Sequence, residues 1–503
     1  MAASVTKSRS GHPLRVSRRG FLFTTGALAA AAELGLCNFV SSLVAADAEP
    51  AKKPLVRVAF ARPKVDRDKL NYYWPGAAYD VEARQADYTR VLRSAADKLS
   101  VDLEILDAPL HDSAGVSTFL DDLKKARPDG LLIVLMAMWE NTVCEVAQNR
   151  GDIPLIVFAP QGTMYLAEIQ SFPKIPKTLL LATPDIEALG LGVRLLSADW
   201  HMRNTRLLMV AGDVNEDYLI EPVGTTLHYV PLSHFVAERQ NIEETEEVRA
   251  LADYYQKAAE QVVEPRREEI LEAAKWYFVA RRMLKAENCH GLNVACFEML
   301  QQGVAPPQCM PLAQLRDEGV ATACGDWPCA VSQRMVELLL SGQQGFQQNI
   351  SANTVDNTLT GAHCSCHTRL DGLDKPPAPF ILRSHSEGNT GVAMQVLFRP
   401  GQELTIMKVS TPNWKWLHKP ERTASGAAVI PSILLGTGRV VRNLDTPPSG
   451  GCRTAVEVKV DGVEDVRNLV PLHHQLYIYG NHVREFKLYA ELAGIKVEPL
   501  YRT

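Results

Sequence analysis

Short apolar runs alternate with helical periodicity through the first part of the chain. LVRVAF (55–60), VDLEIL (101–106), GLLIVLMAM (130–138), PLIVFA (154–159) and TLLLAT (178–183) have strand length, and stretches such as 83–99 and 116–126 between them carry helical patterns. That alternation predicts βαβ units around a parallel sheet. TRLLMVAGD (205–213) opens a second such unit. A long helical region follows over 243–285, with apolar residues at three- and four-residue spacing, and Pro265 divides it into two helices. GLNVACFEML (291–300) returns to strand and loop character.

Beyond Gly361 the texture changes. PFILRSH, GVAMQVLFR, ELTIMKVST, AAVIPSILLGTGRVV, CRTAVEVKV and LYIYG are strand-length runs separated by Gly, Pro, Asn and Asp. Regular short strands of this kind predict an antiparallel barrel or sandwich. A helix over 482–493 and a strand over 495–500 close the pattern. The fold expected is two Rossmann-like α/β domains, 54–203 and 204–345, followed by a β-rich, barrel-like domain, 346–503. The pair Gly436 and Gly438 lacks the rest of a dinucleotide fingerprint and reads as a plain turn between strands.

The 503 residues, 46% apolar and 22% charged, allow about three globular domains with ample core. A net charge of −5 supplies no basic field for nucleic acid. Residues 1–48 read as an export signal: Ser17-Arg18-Arg19-Gly20-Phe21-Leu22 is a twin-arginine motif, an apolar run extends to Leu36, and Ala46-Asp47-Ala48 offers a cleavage site. The apolar run is too short for a comfortable membrane span, so the mature chain is expected to be extracytoplasmic or periplasmic, without a stable span. Of ten cysteines, setting Cys37 aside leaves nine, an odd number that is no disulfide framework.

Chemistry-bearing side chains concentrate between Ala321 and Leu370, where Cys324, Asp326, Cys329, Asn353, Asp356, His363, Cys364, Cys366 and His367 fall within fifty residues. Thiols, imidazoles and carboxylates are the groups that bind metals and move protons. Each also has a plainer reading. Asp326 can cap the helix that begins at Trp327-Pro328, Asp356 can hold an Asx turn, and the thiols can be small buried hydrophobes. The run His363-Cys364-Ser365-Cys366-His367, with Cys324 and Cys329, has enough soft donors for Zn²⁺ or copper, but its spacing is not that of a zinc finger. Trp414 and Trp416 can stack on a sugar face or anchor a loop.

Three segments carry a family resemblance. LRDEGVATACGDW (315–327), GFQQN…GAHC (345–364) and LHHQLYIYGNHVREFKLYAELAGI (472–495) resemble the two metal segments and the closing His-containing segment of the L-fucose/L-arabinose isomerase family. The resemblance implies an aldose–ketose isomerase, an intramolecular oxidoreductase. In such an enzyme a divalent metal polarises the substrate oxygens while a carboxylate takes and returns a proton through an enediol. It also implies Mn²⁺ or Mg²⁺ as cofactor, with Zn²⁺ less favoured, a small sugar or polyol as partner, and a homo-oligomer. Carried over residue by residue, the metal histidines are His363 and His474, while Cys324 and Asn353 stand where the metal carboxylates are expected. The metal site is therefore degenerate, and Asp326 and Asp356 are the acids left to take the catalytic role. Two alternatives stay open: a non-catalytic sugar- or polyol-binding descendant, and a soft-metal protein using the Cys/His cluster.

The export reading has a direct test. Replacing Arg18 and Arg19 by Lys should leave the precursor in the cytoplasm, and normal export of that variant, followed by cell fractionation, would contradict the assignment.

Overall fold

The computed structural model describes residues 52–62, 80–137, 141–172, 174–412, 419–445 and 452–501. The expected export signal and the tryptophans at 414 and 416 lie outside them. Strands β1 (Leu55–Ala61), β2 (Asp102–Ile105), β3 (Gly130–Leu135), β4 (Leu155–Pro160) and β5 (Thr178–Thr183) form an all-parallel sheet in the order β2-β1-β3-β4-β5. β3 is buried along its whole length, as expected for a parallel strand covered by helices on both faces. The helix Val81–Leu99 starts where the Asp80 carboxylate accepts the Ala83 amide, and it ends at Ser100 in the left-handed region.

The second sheet contains β6 (Arg206–Val210), β7 (Asp217–Glu221), β8 (Thr225–Val230), β10 (Gly291–Val294), β11 (Ala321–Cys324) and, from far along the chain, β17 (Ala428–Val429), in the order β11-β10-β6-β8-β7-β17. β11, β10, β6 and β8 run parallel, while β7 turns back antiparallel on β8. The helical stretch after it divides as the proline implies, into Glu246–Ala258 and Arg267–Ala286, with the short strand β9 (Gln261–Val262) between. β9 pairs with β14 (Phe380–Arg383), which in turn pairs with β15 (Ala393–Val396). One expectation fails here: after β10 the chain forms a helix, Cys296–Gln302, rather than a loop. Gly303, at φ 64°, supplies the left-handed residue that closes it.

The carboxy-terminal part is a six-stranded barrel. β12 (Phe346–Asn353), β13 (Thr358–His363), β16 (Glu403–Val409), β18 (Ser432–Asn443), β19 (Thr454–Val460) and β20 (His474–Tyr479) pair in the order β16-β20-β12-β13-β19-β18, and β16 with β18 closes the ring. The helix Val483–Ala493 leads to β21 (Lys496–Pro499), which adds in parallel to the start of β18. Gly436 and Gly438 are not a turn. Both lie inside β18, where a β-carbon at Gly438 would sit 2.7 Å from the Lys459 carbonyl oxygen and one at Gly436 would sit 2.6 Å from Leu500 Cδ1. The chain is thus mixed α/β with two largely parallel sheets and a barrel, and one apolar core runs continuously from Val56 and Val58 through Leu207 and Met209 to Met407 and Ile478.

Gly361 marks how closely the barrel is filled. A β-carbon there would lie 2.6 Å from both Gln348 Cγ and Tyr477 Cε2, side chains from β12 and β20. Gly361→Ala should therefore lower stability by about 1–3 kcal/mol through overpacking. The midpoint of urea unfolding measures it, and an unchanged midpoint would show that the strands shift freely.

Candidate functional site

The carboxyl ends of β10 and β11 face the barrel, and polar side chains from four distant segments meet there. Asp326 follows β11 directly and caps the helix Trp327–Leu339: its Oδ1 accepts the Cys329 amide at 2.9 Å, and its own amide donates to Asn293 Oδ1 at 3.1 Å. Its Oδ2 accepts from Lys408 Nζ of β16 at 2.7 Å and from His474 Nδ1 of β20 at 2.8 Å. All three side chains are buried. Burial pushes the Asp326 carboxyl up, but the Lys408 ammonium and the His474 hydrogen bond outweigh it and hold the group well below the usual carboxylate range. The same pairing raises Lys408 against the downward pull of its burial. Capping and charge pairing therefore fall on one carboxylate.

His363, the last residue of β13, packs edge-to-face on His474 with ring centroids 5.8 Å apart. Hydrogen-bond partners at Nδ1 distinguish the two rings. The Ser365 amide can only donate, and it points at His363 Nδ1 from 3.3 Å, so the neutral His363 ring carries its proton on Nε2. Asp326, held ionised, can only accept, so His474 carries a proton on Nδ1, and its neutral form has the lone pair on Nε2. In their neutral forms the two rings are thus opposite tautomers. Cys324 adjoins them. Gln347 of β12 clamps its backbone, accepting the amide at 2.9 Å and donating to the carbonyl at 3.0 Å. A hydrogen bond with Cys296 and then burial push the Cys324 thiol well up, while His363 pulls it the other way.

The structure thus brings Asp326, His363, His474 and Cys324 together. It places Asn353 and Asp356 elsewhere, at the β12–β13 turn, where Asn353 Oδ1 accepts the amides of Val355 and Asp356 and its Nδ2 donates to Asp356 Oδ2 at 2.9 Å. Asn353 pairs with Thr358, five residues before His363 along β13, or about 17 Å of strand. Ten residues of sequence separation across a hairpin carry a side chain away from the histidine, so an acid at 353 or 356 does not face the imidazoles. Lys408 escaped sequence reasoning, although it sits in phase with Leu404 and Ile406 along an apolar strand, and a lysine in the core phase is the signal of a buried partner.

The thiols divide between neighbourhoods. Cys329 lies in the helix beneath Asp326, and Cys366 Sγ contacts the His367 carbonyl. His367 is fully buried, neither ring nitrogen has a hydrogen-bond partner among the described residues, and burial holds its pKa well down. Cys364 leaves the run altogether and joins Cys309 and His385, with ligand atoms within 4.8 Å of one another, while Cys452 packs against them. Hydrogen bonds from Cys309 and Cys452 lower the Cys364 thiol well below its ordinary range.

No protein-family profile matches the chain. A stretch of 220 residues is 25% identical to sulfoquinovose isomerase of Clostridium sp. (strain MSTE9), covering 43% of this chain and 45% of that protein, so the match spans less than half the length of that relative. Among solved structures, GanP, a glucose-galactose binding protein from Geobacillus stearothermophilus, aligns over 50% of this chain and 83% of its own at 12% identity, with a TM-score of 0.16 that carries no structural argument. Over that stretch the chain is similar to a sugar isomerase.

A hard divalent cation does not fit between His363 and His474. Asp326 is the carboxylate placed beside them, and its outward oxygen is already shared by the Lys408 ammonium and the His474 N–H. An ammonium at 2.7 Å stands where Mn²⁺ or Mg²⁺ would need that oxygen, and imidazoles alone compete poorly with water for such ions. The charge pair has a pH signature. Asp326, depressed on folding, contributes stability that is present above its unfolded value and lost as pH falls towards its folded one. Lys408, raised on folding, contributes stability that is present below its unfolded value and lost as pH rises through its folded one. Stability from the pair should be flat between about pH 5 and 9 and fall on either side. Lys408→Met should cost about 3–5 kcal/mol within that plateau, by leaving a buried carboxylate without its cation. Urea titrations at acid, neutral and alkaline pH measure it, and a penalty that is negligible at neutral pH would show that the pair is solvated.

Proposed function

We propose that the protein is a sugar isomerase-type enzyme of the L-fucose/L-arabinose isomerase-like kind. In this reading a paired-imidazole centre moves the proton that a metal-bound carboxylate moves in such enzymes. Interconverting an aldose and a ketose requires a base to take a proton from one carbon and return it to its neighbour, with a donor to the carbonyl oxygen as the enediol forms. His474 supplies the base at Nε2, oriented by Asp326, and His363 supplies the donor at Nε2. Lys408 keeps Asp326 ionised. The observation that carries the proposal is the convergence of these two rings, one met at Nδ1 by a donor and the other by an acceptor, at the carboxyl ends of a parallel sheet, where open α/β sheets hold their ligands. The distant likeness to a sulfoquinovose isomerase supports a small sugar as substrate.

The test is solvent-deuterium incorporation at the carbon next to the carbonyl, followed by NMR on sulfoquinovose, fucose and arabinose with protein stripped by chelator. The proposal expects exchange with at least one sugar, unchanged by added Mn²⁺, and reduced by about 10²–10⁴-fold in His474→Gln. Exchange that appears only with Mn²⁺ would overturn the paired-imidazole reading. Saturable sugar binding without exchange in wild type would replace it with a non-catalytic sugar-binding role, which the burial of Asp326, Lys408 and His474 would then explain.

A further inference from the structure

A second constellation lies outside the paired-imidazole centre and does not depend on it. Cys309 begins the helix Cys309–Asp317, Cys364 follows the end of β13, and His385 follows β14. Three separate segments therefore deliver two thiols and an imidazole to one point, with all ligand atoms within 4.8 Å of one another. Bonds of about 2.3 Å to sulfur and 2.0–2.1 Å to nitrogen, at tetrahedral angles, separate ligand atoms by roughly 3.4–3.8 Å, so the donors need little movement to close on an ion. Cys452, which precedes β19, packs against the cluster as a further sulfur donor.

The surroundings match what a thiolate site needs. The Arg453 amide donates to Cys364 Sγ at 3.4 Å, and Asn349 Nδ2 donates to Cys452 Sγ at 3.5 Å, so the sulfurs already accept hydrogen bonds from nitrogen as metal thiolates do. His385 Nδ1 is buried and makes no hydrogen bond within the described residues, although Glu387 Oε2 lies 3.1 Å from it as a contact of poor alignment. A carboxylate beside a ligating imidazole is the arrangement that fixes its orientation and raises its basicity. Ala393, fully buried, packs against the same cysteines. Nine cysteines are described, and all are free, so no disulfide competes for these sulfurs.

We infer that Cys309, Cys364 and His385, completed by Cys452, form a binding site for a borderline-soft d¹⁰ cation, Zn²⁺ or Cu⁺. Sulfur and imidazole donors exclude Mg²⁺ and Mn²⁺ as preferred occupants, and a three-sulfur, one-nitrogen set closes a tetrahedron of the kind that holds a structural ion. Such an ion would tie the second α/β segment, through Cys309, to the barrel, through Cys364 and Cys452.

The experiment uses the full chain, reduced and stripped of metal, then dialysed against Zn²⁺ in one arm and Cu⁺ under anaerobic conditions in the other. Bound metal is counted by mass spectrometry. Co²⁺ replaces Zn²⁺ to read ligand type from its thiolate charge-transfer absorption. The inference expects about one equivalent in wild type and in a Cys144→Ser control, and thiolate-to-cobalt absorption. Cys364→Ser and His385→Ala should each lose most of the bound ion. Retention of a full equivalent by both variants, cobalt spectra without thiolate bands, or a Cys309–Cys364 disulfide in protein purified without reductant would each overturn it. If Cys364→Ser fails to fold, His385→Ala and Cys452→Ser carry the same comparison.

Discussion

One buried carboxylate organises the centre of this protein. Asp326 starts a helix, closes the end of a parallel strand and accepts from a lysine and a histidine of the barrel, so a single side chain joins the second sheet to the β-rich part. An ionised carboxylate in a buried position is expensive unless every lone pair is engaged. Here Cys329 N, Lys408 Nζ and His474 Nδ1 engage them. The cost of burial is thereby turned into position: β16 and β20 are held in one register against the helix Trp327–Leu339, and the His474 ring has one orientation and one tautomer.

That constraint also decides what the site does chemically. A metal centre built for hard cations needs more than one anionic oxygen free to face the ion, and the residues here supply one, already neutralised by Lys408. Two imidazoles remain, one met at Nδ1 by a donor and the other by an acceptor, and it is on these that the proposed proton transfer rests. Soft donors gather from three separate segments, at Cys309, Cys364 and His385, a group that holds no carboxylate among the described residues. Hard and soft chemistry are thus separated within one short stretch, since His363 faces one cluster and Cys364 the other.

Much of this was legible in the residues. The apolar alternation marked the first parallel sheet and strands β6 and β10 of the second because buried strands read as continuous hydrophobic runs; of the short strands after Gly361, β16, β18, β19 and β20 belong to the barrel, while PFILRSH and GVAMQVLFR became β14 and β15 of a separate sheet. Asp326, His363 and Cys324 were singled out by type within one stretch and His474 by the family resemblance, and they meet. Asn353 and Asp356 failed because spacing along a hairpin says nothing of which end of the ladder a residue reaches; their side chains close a turn. Lys408, Cys309, His385 and Cys452 were invisible as a set because their meeting depends on barrel closure and on the β14–β15 connection, which no local pattern encodes. The run from His363 to His367 looked like one cluster and is three: His363 turns to His474, Cys364 to Cys309, and Cys366 and His367 into the core.

The central claim is that His363 and His474 are held in opposite tautomers by Ser365 and by an Asp326 kept ionised by Lys408. Nitrogen-15 NMR of imidazole-labelled protein at neutral pH reads both rings directly. The account predicts a proton on Nδ1 of His474 and on Nε2 of His363, with neither assignment altered by added Mn²⁺. The same tautomer in both rings, or a Mn²⁺-dependent loss of both signals at stoichiometric metal, would contradict it.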